Sequence, residues 1–234
     1  PPGEPARKRY TFRLPAARAA DLRARGLSAV SLADNHAGDG GAEGLADTLA
    51  ALDAGGLGRF GAGPDAAAAV APWYARVKDV TVAFVAASLV DPDRLPAGGP
   101  GEPGLAILPR HAPELSAALA EAHRHARTVI ALVHWGAEGT PAVDDEQRRW
   151  ARWLVEQGAD AVVGSGPHVV QAEDAVAGVP VFYSVGNLWF AGRWPAAGRT
   201  AGIAWLGIDG AGRVVGARLE RVGAPGGVAA ERVP

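Results

Sequence analysis

The sequence contains no cysteine and no methionine. The first absence excludes disulfides, thiolate zinc sites, iron–sulfur clusters and a cysteine nucleophile. It leaves the compartment open, because a chain without thiols suits reducing and oxidising surroundings alike. The second, with an opening Pro1-Pro2, leads us to expect a piece whose natural start and any targeting segment lie upstream. Aromatic residues are few, at 6%. No apolar run reaches the ~18–20 residues that a membrane-spanning helix needs, the longest lying near 80–90. No signal-peptide pattern is visible.

What is present is ordinary globular chemistry. The chain has 234 residues, 48% of them hydrophobic and 21% charged, with a net charge of −2. That length suits one large domain or two small ones and buries roughly 70% of the unfolded surface without staples. A nearly neutral chain is a poor electrostatic partner for nucleic acid or an anionic membrane, so neither is expected.

Periodicity predicts the elements. Leu14, Ala17, Ala20, Leu22 and Ala24 suggest a short helix over Pro15–Gly26, with Gly26 as its stop. Ala29–Ala33 reads as a strand ending in Asp34-Asn35-His36, followed by a helix that carries Leu45, Leu49 and Leu52. A short strand is expected at Arg59–Gly61, and a strand covered on both faces at Val80–Ala87. The Pro- and Gly-dense stretch Asp91–Pro113 reads as a long loop. A helix over Pro113–Ala126 leads to a strand at Thr128–Val133 that ends in His134-Trp135-Gly136. Asp144 and Gln147 form the signature of a capping box at the start of the next helix, whose stripe is Trp150, Ala151 and Leu154. Strands follow at Ala161–Val163 and Val179–Ser184, then a hairpin of Gly202–Ile208 and Arg213–Arg221.

Three strands thus end in a loop bearing a histidine, His36, His134 or His168, and a fourth ends in Asn187. In open α/β sheets the ligand crevice lies beyond the carboxyl ends of the strands. Each such histidine reads either as a turn residue bonded to backbone or as a reactive group. Asn35, His134 and His168 can supply imidazole and amide ligands to a borderline divalent ion such as zinc, manganese or iron. An ion held so polarises a phosphoryl or carbonyl oxygen. His36 then reads as proton donor. Glu138, four residues after His134, reads as an orienting partner for that ring or as a base. Asp34 suits a loop cap and Asp39 a helix start. His111, His123 and His125 read as solvated surface, and Trp135 and Trp189 as packing anchors in crevice loops.

The stretches LSAVSLADNHAGDGGAEGLADTL and ALVHWGAEG, with GADAVVGSGPHVVQ and VPVFYSVGNLWF, resemble the motif blocks of CapA-type poly-γ-glutamate capsule biosynthesis proteins. That family is in turn similar to calcineurin-like metallophosphoesterases. The resemblance runs from about Tyr10 to Arg221. It implies an α/β fold, a four-layer α-β-β-α sandwich whose first strand or strands precede residue 1. A single domain would then cover residues 1–222, with a flexible tail over 223–234 and the hairpin in a second sheet. It also implies that Asn35 and His134 are metal ligands, that His36 is a proton donor, and that His168 is the last histidine of a His-Pro-His ligand pair. Two departures stand out: Gly166 replaces the first histidine of that pair, and Asp34 replaces an asparagine. The implied role is capsule polymer synthesis or export at the cell envelope, with an anionic polymer or phosphoester as partner and a membrane-bound synthesis complex around it. An active metal-dependent phosphoester hydrolase and a catalytically silent polymer-binding scaffold are the alternatives.

Overall fold

The computed structural model describes residues 10–90, 95–188, 200–223 and 231–232. Trp189 lies outside them. In chain order, α1 (Arg18–Ala24), β1 (Ala29–Ser31), α2 (Gly41–Ala54), β2 (Gly58–Phe60), β3 (Ala62–Gly63) and α3 (Ala66–Val70) come first. Next are β4 (Trp73–Val77), β5 (Val80–Ser88), β6 (Ala97–Gly99), β7 (Glu102–Leu105), α4 (Ala112–His125) and β8 (Thr128–His134). Then follow α5 (Asp145–Glu156), β9 (Ala161–Ser165), β10 (Glu173–Val176), β11 (Val179–Phe182), β12 (Thr200–Ile208), β13 (Val214–Gly223) and β14 (Glu231–Arg232). The chain divides into two compact units, Pro1–Trp73 with Phe84–Ala118 and Tyr74–Ala83 with Leu119–Pro234.

In the first unit β1 and β2 pair in parallel, Ala29 opposite Gly58. The apolar spacing of α2 does what helical period requires: Leu45, Leu49 and Leu52 are buried together and meet Leu32, Leu57, Leu105 and Ile107. Burying each such leucine contributes roughly 1.5–3 kcal/mol, so this cluster holds the loop that follows β1. The helix stops where the sequence places its glycines, with Gly56 at a φ of +67°.

The stretch 91–113, expected to be a loop, is partly sheet. Within it β6 and β7 pair antiparallel, and β7 also pairs with β3. Glycine makes the pairing possible: a Cβ on Gly104 would strike the backbone of Gly98. Leu105, Ala106, Ile107 and Leu108 are fully buried behind it. Pro/Gly density signalled a turn here, and tertiary burial of four consecutive apolar residues overrode it.

The second unit carries a six-stranded sheet in the order β10-β11-β9-β8-β5-β4, to which β4 and β5 bring residues 74–83. β8 and β9 run parallel with His134 opposite Ser165, and β11 runs parallel to β9. Val129, Ala131, Val133, Ala161 and Val162 are buried, as suits parallel strands covered on both faces. The start of α5 is the capping box read from the sequence. Asp144 accepts from the Gln147 amide at 2.7 Å, and the Gln147 side chain accepts from the Asp144 amide at 3.1 Å. A cap of this kind stabilises a helix by about 1 kcal/mol. β12 and β13 form the expected hairpin in a separate sheet. Residues 223–234, expected as a flexible tail, include β14, which pairs with Val222 and Gly223; the open edge of β13 offers the ladder that this pairing uses.

Candidate functional site

In the first unit the loop after β1 is built around two carboxylates. Asp34 Oδ1 accepts from the amides of His36 and Ala37 at 2.6 and 2.8 Å, the turn cap that the sequence suggested. Asp39, expected to be a helix-start residue, has a different role. It is only 2% exposed and its Oδ2 lies 2.8 Å from His36 Nδ1 while accepting from the Phe12 amide at 2.8 Å. The His36 ring also meets the edge of Phe12, with centroids 4.6 Å apart. A buried carboxylate at Nδ1 fixes which ring nitrogen carries the proton and turns Nε2 away from it. His36 opens on a groove of about 610 Å³ flanked by α1 and α2, whose lining includes Arg13, Arg18, Glu43 and Asp47. Asn35 is half-buried in the same loop.

In the second unit the carboxyl ends of the parallel strands bring together residues that are far apart in sequence. His134 ends β8, and its Nδ1 lies 3.2 Å from the hydroxyl of Ser165, which ends β9. His168, three residues on, has Nδ1 2.7 Å from Oδ1 of Asn187. Its Nε2 is 3.8 Å from a carboxylate oxygen of Glu138. The sequence paired Glu138 with His134; in the structure a Glu138 carboxylate oxygen lies 3.8 Å from His168 Nε2. After β8 the chain turns through Gly136 at φ +74°.

His168 adopts a φ of +61°. The left-handed region costs a non-glycine residue about 1 kcal/mol or more, and such residues collect at functional sites. Gly166 stands at φ +116°, and a Cβ there would collide with the carbonyl oxygen of Trp135. The glycine at the expected ligand position is therefore demanded by the backbone of this turn. Trp135 is 1% exposed and donates from its indole to the Tyr183 carbonyl at 2.8 Å, an anchoring role that keeps it out of the crevice lining.

A buried amide relay that the sequence did not reveal supports the loop bearing Glu138. Gln147 donates to the side-chain oxygen of Gln171 at 2.8 Å, and Gln171 donates to the carbonyls of Thr140 and Ala142, each at 2.9 Å. Both glutamines are almost fully buried. Only the capping-box signal at Gln147 hinted at either.

The remaining histidines lie outside these loops. His111, expected at the surface, is 7% exposed, and its Nδ1 accepts from the Ile107 amide at 3.1 Å. Burial lowers its pKa below the ordinary value. His123 and His125 are exposed as expected, and His123 lies 2.6 Å from the Gly158 carbonyl.

A divalent ion would find an uneven set of donors. Among the described residues no three His, Asp or Glu side chains are grouped to hold a metal, so a carboxylate-bridged pair of ions has no cradle there. The second unit does present two imidazoles with their Nδ1 atoms engaged and Glu138 facing Nε2 of His168. Among the described residues these groups do not form a three-ligand site. No helix among the described residues is long and apolar enough to cross a membrane.

Comparison with known proteins places this geometry in a lineage. The chain is 33% identical over 176 residues to PGA biosynthesis protein CapA of Bacillus subtilis (strain 168), covering 74% of this chain and 45% of that protein. It is 31% identical to capsule biosynthesis protein CapA of Bacillus anthracis, covering 72% and 41%. The chain thus spans less than half the length of these curated relatives. Among solved structures it is similar to a hypothetical protein from Thermus thermophilus, with a TM-score of 0.58, 19% identity, and 87% of this chain and 79% of that one covered. It is also similar to a putative 5'-nucleotidase from Staphylococcus aureus, with a TM-score of 0.56, 16% identity, and 88% and 39% covered. The mixed α/β fold is therefore shared with these structures, in keeping with the α/β fold that the motif resemblance implied. The family model for bacterial capsule synthesis protein PGA_cap matches residues 1–191, and this chain belongs to that family.

Proposed function

We propose that the chain is a metallophosphoesterase-like domain serving poly-γ-glutamate capsule synthesis at the cell envelope, and that residues 1–222 act as one functional unit. The names of its Bacillus relatives support this assignment. Its partners are an anionic polymer or phosphoester and a capsule-synthesis complex. The observation that carries the chemical part is His168, held in the left-handed region with its ring clamped at the carboxyl ends of three parallel strands. Lys78 and Ala177 take a similar φ in plain turns, so it is the clamp on the ring that distinguishes His168.

His134 and His168 would hold one divalent ion (manganese, zinc or iron), with Glu138 beside them. When bound, that ion supplies polarisation of a phosphoryl oxygen. The family resemblance assigns Asn35 a ligand's role and His36 that of proton donor to a leaving oxygen, with Asp39 orienting the His36 ring. Glu138 is 64% exposed at its side chain, which suits a group that meets an incoming ligand.

Manganese titration by calorimetry, with hydrolysis of a chromogenic phosphodiester, tests the reading. One site that disappears in His134→Ala together with hydrolysis supports it; undiminished metal uptake in both His134→Ala and His168→Ala overturns it. Single alanine variants at Asn35 and His36 test their assigned roles, loss of metal affinity for the first and loss of turnover with metal affinity kept for the second. The scaffold reading is favoured by one feature, Gly166 at a ligand position. It predicts polyglutamate binding by the His134→Ala variant with no hydrolysis by either protein.

A further inference from the structure

The second unit contains a residue whose placement goes beyond packing. Asn187 follows β11 on backbone that is stapled on both sides. Val185 donates to the Gly164 carbonyl at 3.0 Å and accepts from the Gly202 amide at 2.6 Å, while Gly186 bridges to Ala201. Val170 and Val185 form a further bridge, only two residues from His168 and from Asn187 respectively. Gly186 sits at φ +65° with the carbonyl of Thr200 where a Cβ would go, so the approach is fitted to glycine. The staples hold the two side chains in register across the 2.7 Å contact from His168 Nδ1 to Asn187 Oδ1.

We propose that Asn187 is the positioning residue for His168. Its amide oxygen accepts from Nδ1–H, so the lone pair of the ring lies on Nε2, the atom that faces Glu138. Nε2 is then the acceptor of the ring and lies 3.8 Å from a Glu138 carboxylate oxygen. The inference deepens the metal reading of His168 and rests on it for its purpose, but the ring's proton position is tested on its own. The other end of the amide, Nδ2, is buried with no hydrogen-bond partner among the described residues. A reversed amide would donate to Nδ1 and put the ring proton on Nε2, and this is the arrangement the proposal competes with.

The experiment is ¹⁵N NMR of histidine-labelled protein without metal at pH 8, followed by calorimetry with Zn²⁺ alone. The wild type is expected to show His168 protonated at Nδ1. Asn187→Leu should move that proton to Nε2 and weaken Zn²⁺ binding about 10–100-fold. Asn187→Asp, close to isosteric and still an acceptor, should keep the Nδ1–H form and the affinity. Protonation of wild-type His168 at Nε2, or an unchanged ring in a folded Asn187→Leu protein, overturns the proposal. Should the ring respond as expected while the wild type takes up no Zn²⁺, the positioning role stands and the metal reading falls.

Discussion

The two loops that carry the candidate chemistry are built by opposite routes. In the first unit His36 finds its carboxylate three residues away, although that carboxylate also takes the Phe12 amide 27 residues off, and Asp34 caps the same turn two and three residues on. In the second unit His168 meets a partner 19 residues distant and His134 one 31 residues distant. A short-range pair needs only a turn, whereas a long-range pair needs the strand order of a sheet. The first loop should therefore tolerate a damaged neighbour that the second does not.

The largest effect is expected at Gly166. Substituting histidine, which restores the family's pattern on paper, places a Cβ against the Trp135 carbonyl at a φ reserved for glycine. Strain and overpacking together should cost about 3 kcal/mol or more, read as a lower urea midpoint. A Gly166→His protein of wild-type stability that gains a metal ligand would break the contrast between the loops.

A smaller loss is expected for Asp39→Ala. It leaves the Phe12 amide without its carboxylate and the His36 ring without its Nδ1 partner, at about 1–3 kcal/mol. Hydrogen exchange should quicken at the Phe12 amide and stay unchanged in β8 and β9. Faster exchange in those strands would show that the first loop is no more self-contained than the second.

The smallest effect concerns His111, a third short-range pair, buried and bonded to the Ile107 amide. Burial lowers its folded pKa below 6.5. Between that lowered value and 6.5 the unfolded chain binds more protons than the folded one. Stability from this residue is therefore complete above pH 6.5 and declines as pH falls below it. His111→Gln, which keeps an acceptor for Ile107, should flatten the slope in denaturation measured from pH 7.5 to 5. An equal slope in the variant would assign the dependence to other groups.

These contrasts mark how much was readable in the chain. The leucine stripe of α2, the capping box of α5, the hairpin of β12 and β13 and the histidines at strand ends all follow from periods and turn chemistry within a dozen residues. The role of Asp39 was within reach, since Asp at three residues from His36 in a turn is a local pattern, but a helix-start reading competed with it. His111 was misread because its loop looks polar and exposed, while the buried run Leu105–Leu108 beside it carries the ring inward. Gly166 looked like a lost ligand until its φ was known.

Sequence alone determined the family, the longer elements and the set of candidate donors, because helical and strand periods and motif order are properties of the linear chain. Only the tertiary structure decided that Ser165 serves His134, that Asn187 and Glu138 meet His168, and that Gln147 and Gln171 close a buried relay. Those pairings depend on which strands lie side by side and where each ends. Spacing along the chain does not encode that adjacency; it arises when β8, β9 and β11 align in parallel and bring their carboxyl ends to one edge.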